Sequence, residues 1–372
     1  MQKDRTIKKS PKKITGVEQK QNRMNNADSN FNQNGKTEEG LSYSISDVHG
    51  MFGSFMEVIS KLNPQDTLYI CGDVIDRGKY GIKILQEIIK MQNNPQKYPT
   101  IKFIIGNHEW LFYKAIKILE KYENPEDIVI SIYNVHRLKY ILENITRAYK
   151  QDEISGFSYK ERKTSVENEQ YKYSNKLKRL NVSECDIMEL GLWLFYNKGM
   201  TTISDYLNLN DDEKDKIYKF LESSDVIFSK HIAGKDLLFV HAMPLPDENI
   251  LKNLKKQIGG YSLKIMWNDK HTMSCLVEER NSEINYKKSL SYGFTTICGH
   301  TSTPGEINYQ PQNGFIRIDA GCGRKRNNSM LAVYCINTNT VRMLPEREEP
   351  LQDPSDYIAS PKSKDSEHNE YE

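Results

Sequence analysis

Five apolar runs in this 372-residue chain end the same way: β-branched or aromatic residues give way abruptly to glycine and to side chains that titrate or bind metals. They are YSIS (43–46) into DVHG, TLYI (67–70) into CGDVIDRG, IKFII (101–105) into GNHE, LLFV (237–240) into HAMP, and FTTIC (294–298) into GHT. A short apolar run bounded by turn residues is the pattern of a buried strand feeding a loop. Helical spacing follows the first three runs: Phe52, Phe55, Val58, Ile59 and Leu62; Ile82, Leu85, Ile88 and Ile89; Trp110, Leu111, Ala115, Ile118 and Leu119. Strand, loop and helix repeated three times predict a largely parallel sheet covered by helices. Its loops should gather at the carboxyl ends of the strands, the edge where open α/β sheets bind ligands. The later runs 315–319, 331–336 and 340–343 leave little room for helices and predict an antiparallel second sheet sharing the same core.

The ends of the chain do not fit this rhythm. Residues 1–40 carry scattered apolar side chains without period and many lysines, while 345–372 are equally polar but acidic. Both are expected to be disordered tails around a domain of residues 41–344, because neither can repay the entropy of ordering. Within the domain, 135–188 is polar and rich in lysine and tyrosine (Tyr140, Tyr149, Tyr159, Tyr171 and Tyr173), which predicts a helical or partly disordered insertion. The tails and the insertion are the candidate surfaces for regulatory proteins.

Charge excludes more than it specifies. Lys and Arg total 52 and Asp and Glu 50, a net +2 that gives no support for nucleic acid as a partner. No run approaches the roughly 18 apolar residues of a membrane span, and no amino-terminal apolar leader is evident. Six dispersed cysteines without a C-x-x-C pair argue against a disulfide framework or zinc finger, and the expected location is reducing cytoplasm.

Read together, the loops bring a ligand set to one edge. Asp47 and His49 alternate about Val48, so an extended strand end would face both the same way. Asp73 follows the second run, Asn107 and His108 the third, and His241 and His300 the last two. Two carboxylates, an amide and several imidazoles suit divalent first-row metals such as manganese, iron or zinc, and not calcium or a thiolate site.

In that order, DVHG, GDVIDRG, GNHE, VHA and GHT resemble the signature of the phosphoprotein phosphatase family of calcineurin-like metallophosphoesterases. WLFYNKGMTTISDY (193–206) and IDAGCGR (318–324) resemble its bacterial and phage branch, which includes serine/threonine protein phosphatases and symmetrically cleaving diadenosine tetraphosphatases. The resemblance implies an α/β fold, a central β-sandwich of two mixed sheets flanked by helices. It implies two divalent metal ions, with Asp47 and His49 on the first, Asp73 bridging, and Asn107, His241 and His300 on the second. It further implies a catalytic His108 oriented by Asp76, substrate phosphate held by Arg77 and Asn107, and attack by a hydroxide shared between the metals. The expected substrate is a phosphoserine or phosphothreonine protein. A dinucleotide or related nucleotide is the alternative, and a non-catalytic scaffold with a degenerate site is the alternative of another class. One departure stands out: where relatives have an arginine two residues after the tryptophan matching Trp267, this chain has Asp269, followed by Lys270, with Arg280 further on. Either Lys270 or Arg280 substitutes for the arginine or the loop is shifted by an insertion, or the exchange alters substrate preference or lowers the rate.

Overall fold

The computed structural model describes residues 40–350 except 152, 245–246, 257–258, 267–274 and 278–281. Both expected tails lie outside the described residues, apart from 40 and 345–350.

The three predicted strand-helix units are present. Strands β1 (Ser42–Ile45), β2 (Thr67–Cys71) and β3 (Thr100–Ile104) pair in parallel, with Tyr43 opposite Leu68 and Ile70 opposite Phe103. Their connections pass through α1 (Phe52–Ser60) and α2 (Gly81–Gln92), and α3 (Asn107–Leu119) follows β3. Helix α1 buries Phe55 and Val58 and α2 Leu85 and Ile88 of the predicted stripes, whereas α3 buries Ala115, Ile118 and Leu119 but leaves Trp110 and Leu111 half-buried and turns Phe112 and Ile116 inward.

The chain then makes a long helical excursion. Helices α4 (Pro125–Lys150) and α5 (Gly156–Arg179) form most of the polar region expected as an insertion. They run antiparallel: Tyr149 stacks on Tyr159 at 4.4 Å near one end, and Lys176 pairs with Asp127 at 2.8 Å near the other. Tyr140 and Tyr171 stay exposed. Next come α6 (Glu184–Gly191), a π-helical turn (Leu192–Tyr196), α7 (Met200–Leu207) and α8 (Asp211–Ser223).

Strand β4 (Asp225–Ile232), which the sequence reading did not mark, meets β3 in parallel at a single registered pair, Ile104 and Asp225. It turns through Ala233 and Gly234, both left-handed, into antiparallel β5 (Lys235–Val240), a two-residue hairpin whose twist suits that conformation. Helix α9 (Glu248–Lys256), β6 (Gly259–Ser262) on the far side of β4, the short α10 (Leu263–Met266) and α11 (Ser282–Ser291) lead to β7 (Phe294–Cys298). Strand β5 pairs in parallel with β7, and β7 with β9 (Phe315–Arg317), which β8 (Asn308–Gln310) edges.

The end of the sheet differs from the expected second antiparallel sheet. Strand β10 (Met330–Cys335) returns to pair antiparallel with β1, and β11 (Thr340–Pro345) lies outside it, whereas β9 belongs with β7. Hydrogen bonding is continuous from β11 to β8, so the two layers of the sandwich are the halves of one curled mixed sheet. Local alternation reveals a strand but not its neighbour, and here the neighbour is 290 residues away in sequence, as Ser44 opposite Tyr334 shows.

Between the layers Tyr69 and Cys71 of β2, Ile104 of β3 and Tyr334 of β10 meet Leu237 and Phe239 of β5, Ile297 of β7 and Ile316 of β9. Tyr69 and Phe239 stack with ring centroids 4.0 Å apart. None of the six cysteines is in a disulfide, and no described helix is long and apolar enough to cross a membrane.

The acidic segment expected to be disordered from 345 instead ends β11 at Pro345 and continues along α1. Gly53 N donates to Glu348 O at 3.0 Å and Ser54 N to Arg347 O at 3.2 Å, filling amides at a helix start that has no side-chain cap. Arg347 pairs at 2.6 Å with Glu57, which is fully buried. Composition alone marked these residues as tail, because their partners are nearly 300 positions upstream.

Phe239→Ala removes the ring that joins the two halves and should destabilise the protein by about 3–5 kcal/mol. A shift in the denaturant midpoint with unchanged slope is the expected result; a change under 1 kcal/mol (roughly, by the same scale) would show that the sheet halves are held elsewhere.

Candidate active site

The loops after β1, β2, β3, β5 and β7 meet. Asp47 N donates to Gly72 O at 3.0 Å, His49 N to Asp73 O at 2.9 Å, Ile105 N to Asp225 O at 2.8 Å and Gly299 N to His241 O at 2.8 Å. Asp47, His49, Asp73, Asp76, Asn107, His108 and His241 are all buried there, and Arg77 and His300 are partly so.

The backbone that presents them is unusual. Among the described residues, eleven non-glycine residues have left-handed backbone, and six of them are Asp47, His49, Asp73, Asp76, Arg77 and His300. Such residues cost of order 1–3 kcal/mol each and persist only where the surroundings enforce them. Asp47 and His49 therefore do not alternate along an extended strand end, as the sequence reading supposed. β1 stops at Ile45, and a left-handed turn aims both side chains inward while Val48 packs into the core. Gly72 has φ +76°, and a Cβ there would come within 2.5 Å of Gly106 Cα and 2.8 Å of His241 Nδ1. Only glycine allows the two loops to approach so closely.

Asp73 is the centre. Its Oδ1 accepts from His108 N at 3.0 Å, and its Oδ2 lies 3.3 Å from His241 Nε2, 3.7 Å from His108 Nε2 and 3.8 Å from His49 Nε2. Burial works against its charge, yet the imidazoles of His241 and His108 hold it well below the usual carboxylate range. Burial likewise opposes protonation of His241, but Asp73 and Asp47 push that imidazole up to about 10. Asp47 moves the other way, raised by its burial.

Two ligand groups share Asp73: His49, Asp73 and His108 form one, and Asp73, His241 and His300 the other. The donor chemistry fits divalent cations. His49 Nδ1 donates to Ile75 O at 3.0 Å and His241 Nδ1 to Cys71 O at 2.8 Å, which orients each ring and points its Nε2 inward; on His241 a bound cation would take the place of the Nε2 proton. His49 Nε2 is buried without a hydrogen-bond partner, and burial together with Arg77 keeps this ring neutral. On the other side His241 Nε2, His300 Nδ1 and Asn107 Oδ1 lie 2.9–3.2 Å from one another, hydrogen-bonded atoms converging on one point where a cation could replace the shared protons. His300 N also donates to Asp47 Oδ2 at 3.0 Å, tying the second group to the loop that carries His49.

His108 is different. Its Nδ1 donates to Asp76 Oδ2 at 2.6 Å; burial disfavours the cation, but Asp73 and Asp76 outweigh it and raise the imidazole above its ordinary value. Asp76 is in turn fixed by Trp193 Nε1, which donates to Oδ2 at 2.7 Å, and by Thr202 Oγ1, which donates to Oδ1 at 2.6 Å.

Trp193 and Thr202 went unassigned in the sequence, 117 and 126 residues from their partner, although both fall in a stretch noted for its resemblance. Glu109 was also missed. Its buried carboxylate accepts from the amides of Asp73, Val74, Ile75 and Gly106 at 2.8–3.3 Å and so builds the loop that carries Asp73. Burial and the charge of Asp73 push it up to about 7. Its signal was present: a glutamate at the third position of a helix is placed to accept from the residue before the helix. Trp267, Asp269, Lys270 and Arg280, on which the expected change of substrate preference or rate rests, lie outside the described residues.

Comparison with known proteins agrees with this geometry. The profile of the calcineurin-like phosphoesterase family matches residues 43–304. A symmetrical bis(5'-nucleosyl)-tetraphosphatase of Wigglesworthia glossinidia brevipalpis is 32% identical over 106 residues, 27% of this chain and 35% of the relative. One from Buchnera aphidicola subsp. Baizongia pistaciae is 22% identical over 183 residues, 48% of this chain and 59% of the relative. The matches thus span between about a third and three fifths of those relatives' lengths. Among solved structures, a protein serine/threonine phosphatase from Saccharomyces cerevisiae superposes over 84% of this chain and 82% of its own at 11% identity and TM-score 0.42, too slight a likeness to bear on function. With the profile covering most of the chain and its motifs converging on one buried centre, the chain belongs to the calcineurin-like phosphoesterase family.

Proposed function

We propose that this protein is a metal-dependent phosphatase acting on phosphoserine and phosphothreonine in proteins. Metal-dependent phosphoester hydrolysis follows from family membership; the assignment of residues and substrate is our reading. Asp47, His49 and Asp73 would hold one divalent cation, and Asp73, Asn107, His241 and His300 a second, with manganese the leading candidate and iron or zinc next. When bound, such a pair supplies an activated water and neutralises phosphoryl oxygens.

The observation that carries this reading is the buried His108–Asp76 pair, 2.6 Å apart and locked by Trp193 and Thr202. A serine or threonine alkoxide is a poor leaving group and needs a proton as the P–O ester bond breaks. With Nδ1 committed to Asp76, His108 holds the transferable proton at Nε2, and water supplies the oxygen that forms the new bond to phosphorus. Arg77 offers a planar fork matched to phosphate, and Asn107 adds its amide from the start of α3.

The names of the relatives favour a second reading, symmetrical hydrolysis of diadenosine tetraphosphate at the same centre. A manganese-supplied competition between a phosphoserine/phosphothreonine peptide pool and diadenosine tetraphosphate decides between them. Preferential phosphate release from peptides is expected; preferential formation of adenosine diphosphate would replace our substrate with the nucleotide.

Titration of the chelator-stripped protein with manganese should give two sites. Asp73→Asn should weaken both and His49→Ala leave one; a single site in the unaltered protein would refute the paired assignment. His108→Asn should lower kcat on phosphopeptides by about 10²- to 10⁴-fold while retaining metal binding. The loss should shrink for p-nitrophenyl phosphate, whose leaving group needs no proton. An equal loss on both substrates would remove His108 from the role of proton donor.

A further inference from the structure

The loops holding residues 77–80 and 321–325 flank the His49–Gly50 backbone at the rim of the site. Gly78 N donates to His49 O at 3.0 Å and Tyr80 N to Gly50 O at 3.3 Å. On the other side Gly323 packs so closely that a Cβ would lie 2.3 Å from His49 Cβ. Each loop carries an arginine, Arg77 or Arg324, and just after it a lysine whose side chain is mostly in water: Lys79 is 67% exposed and Lys325 62%.

One carboxylate spans the two ammonium groups. Glu348 Oε1 lies 2.8 Å from Lys325 Nζ, and its Oε2 lies 3.7 Å from Lys79 Nζ. Its neighbours reach the same rim: Glu346 accepts from the amides of Arg324 and Lys325 at 3.1 and 3.3 Å, and Tyr80 donates its hydroxyl to Glu349. The backbone of this segment is tied to α1 and to buried Glu57 through Arg347, so the acids stay near the rim. Among the described residues the ion-pair partners of Glu348 are these two lysines; their ammonium groups lie in water, while Oε1 is buried and makes no well-aligned hydrogen bond, so the pairing is weak. A phosphate, with about twice the charge and three acceptor oxygens, is the stronger ligand for the same two ammonium groups.

We infer that Lys79 and Lys325 form a second anion subsite for a further phosphate on the same substrate, and that Glu348 occupies it as a built-in competitor. This rests on the proposed phosphatase reading, because it places the scissile phosphate at the centre beside Arg77. The subsite selects substrates with clustered phosphates, and the glutamate sets how strongly.

The test compares the full-length protein with Glu348→Gln and with Glu348→Gln combined with Lys79→Ala and Lys325→Ala. The substrates are one peptide in singly and doubly phosphorylated forms, inorganic tripolyphosphate and p-nitrophenyl phosphate. Glu348→Gln should lower KM for the doubly phosphorylated peptide about fivefold with kcat unchanged, since exposed pairs of this kind differ by factors of that order. Both constants for p-nitrophenyl phosphate should stay as they were. The lysine substitutions, or about 0.5 M salt, should abolish the gain. A gain on the peptide places the subsite in phosphoprotein selection, and a gain on tripolyphosphate alone assigns it to phosphoanhydride chains. Equal KM values for the unaltered and Glu348→Gln proteins on both polyanions overturn the inference. If p-nitrophenyl phosphate is not turned over at all, the catalytic reading has failed. Calorimetric binding of tripolyphosphate to the same variants then tests the subsite alone: tighter binding to Glu348→Gln supports it, and unchanged binding overturns it.

Discussion

A carboxylate with almost no access to water is costly unless its charge is answered, and Asp73 is answered from every side. Three imidazoles approach one of its oxygens and a backbone amide the other, while Glu109 holds the amide of Asp73 itself. The partners come from the loops after β1, β3 and β5, so three separate strands must end at one place before Asp73 can sit in the loop of a fourth. Displacing any one of these loops leaves a buried charge unmatched. The sheet must curl for them to meet, and the contact of Tyr69 with Phe239 across the two layers is part of what holds it curled.

The surroundings also have to enforce conformations that the chain would not choose. Left-handed Asp47, His49, Asp73, Asp76 and Arg77 cluster in two loops whose amides and carbonyls bond to each other, as in His49 N to Asp73 O and Gly50 N to Val74 O. Glycine at 72 lets those loops approach the start of α3 and His241. Side chains held in such a frame cannot relax away from one another, and this keeps mutually repelling or orphaned groups, such as the two carboxylates and His49 Nε2, at ligand spacing.

Much of this was legible along the chain. Apolar runs ending in Asp, His, Asn and Gly are local patterns, so the strand ends, the first three helices and the residues that meet at the centre could be read directly. Strand β4 was not, because a central strand with Ser229, Lys230 and His231 in its second half lacks both a continuous apolar run and clean alternation. The aim of Asp47 and His49 was misread, since alternation presumes extended backbone and β1 ends too soon. Trp193 and Thr202 could not be tied to Asp76 by spacing, and the acidic residues 346–349 read as tail because nothing near them in sequence shows that α1 lacks a cap.

The sequence by itself determined which chemistry stands at the end of each strand, because apolar periodicity and ligand identity are properties of a few adjacent residues. Tertiary structure alone decided that Asp73 lies in both candidate ligand clusters, that His108 has its Nδ1 committed to Asp76, and that Glu348 lies between Lys79 and Lys325. Those relations join residues tens to hundreds of positions apart, and their distances are set by how the whole sheet curls and packs, which no local pattern encodes.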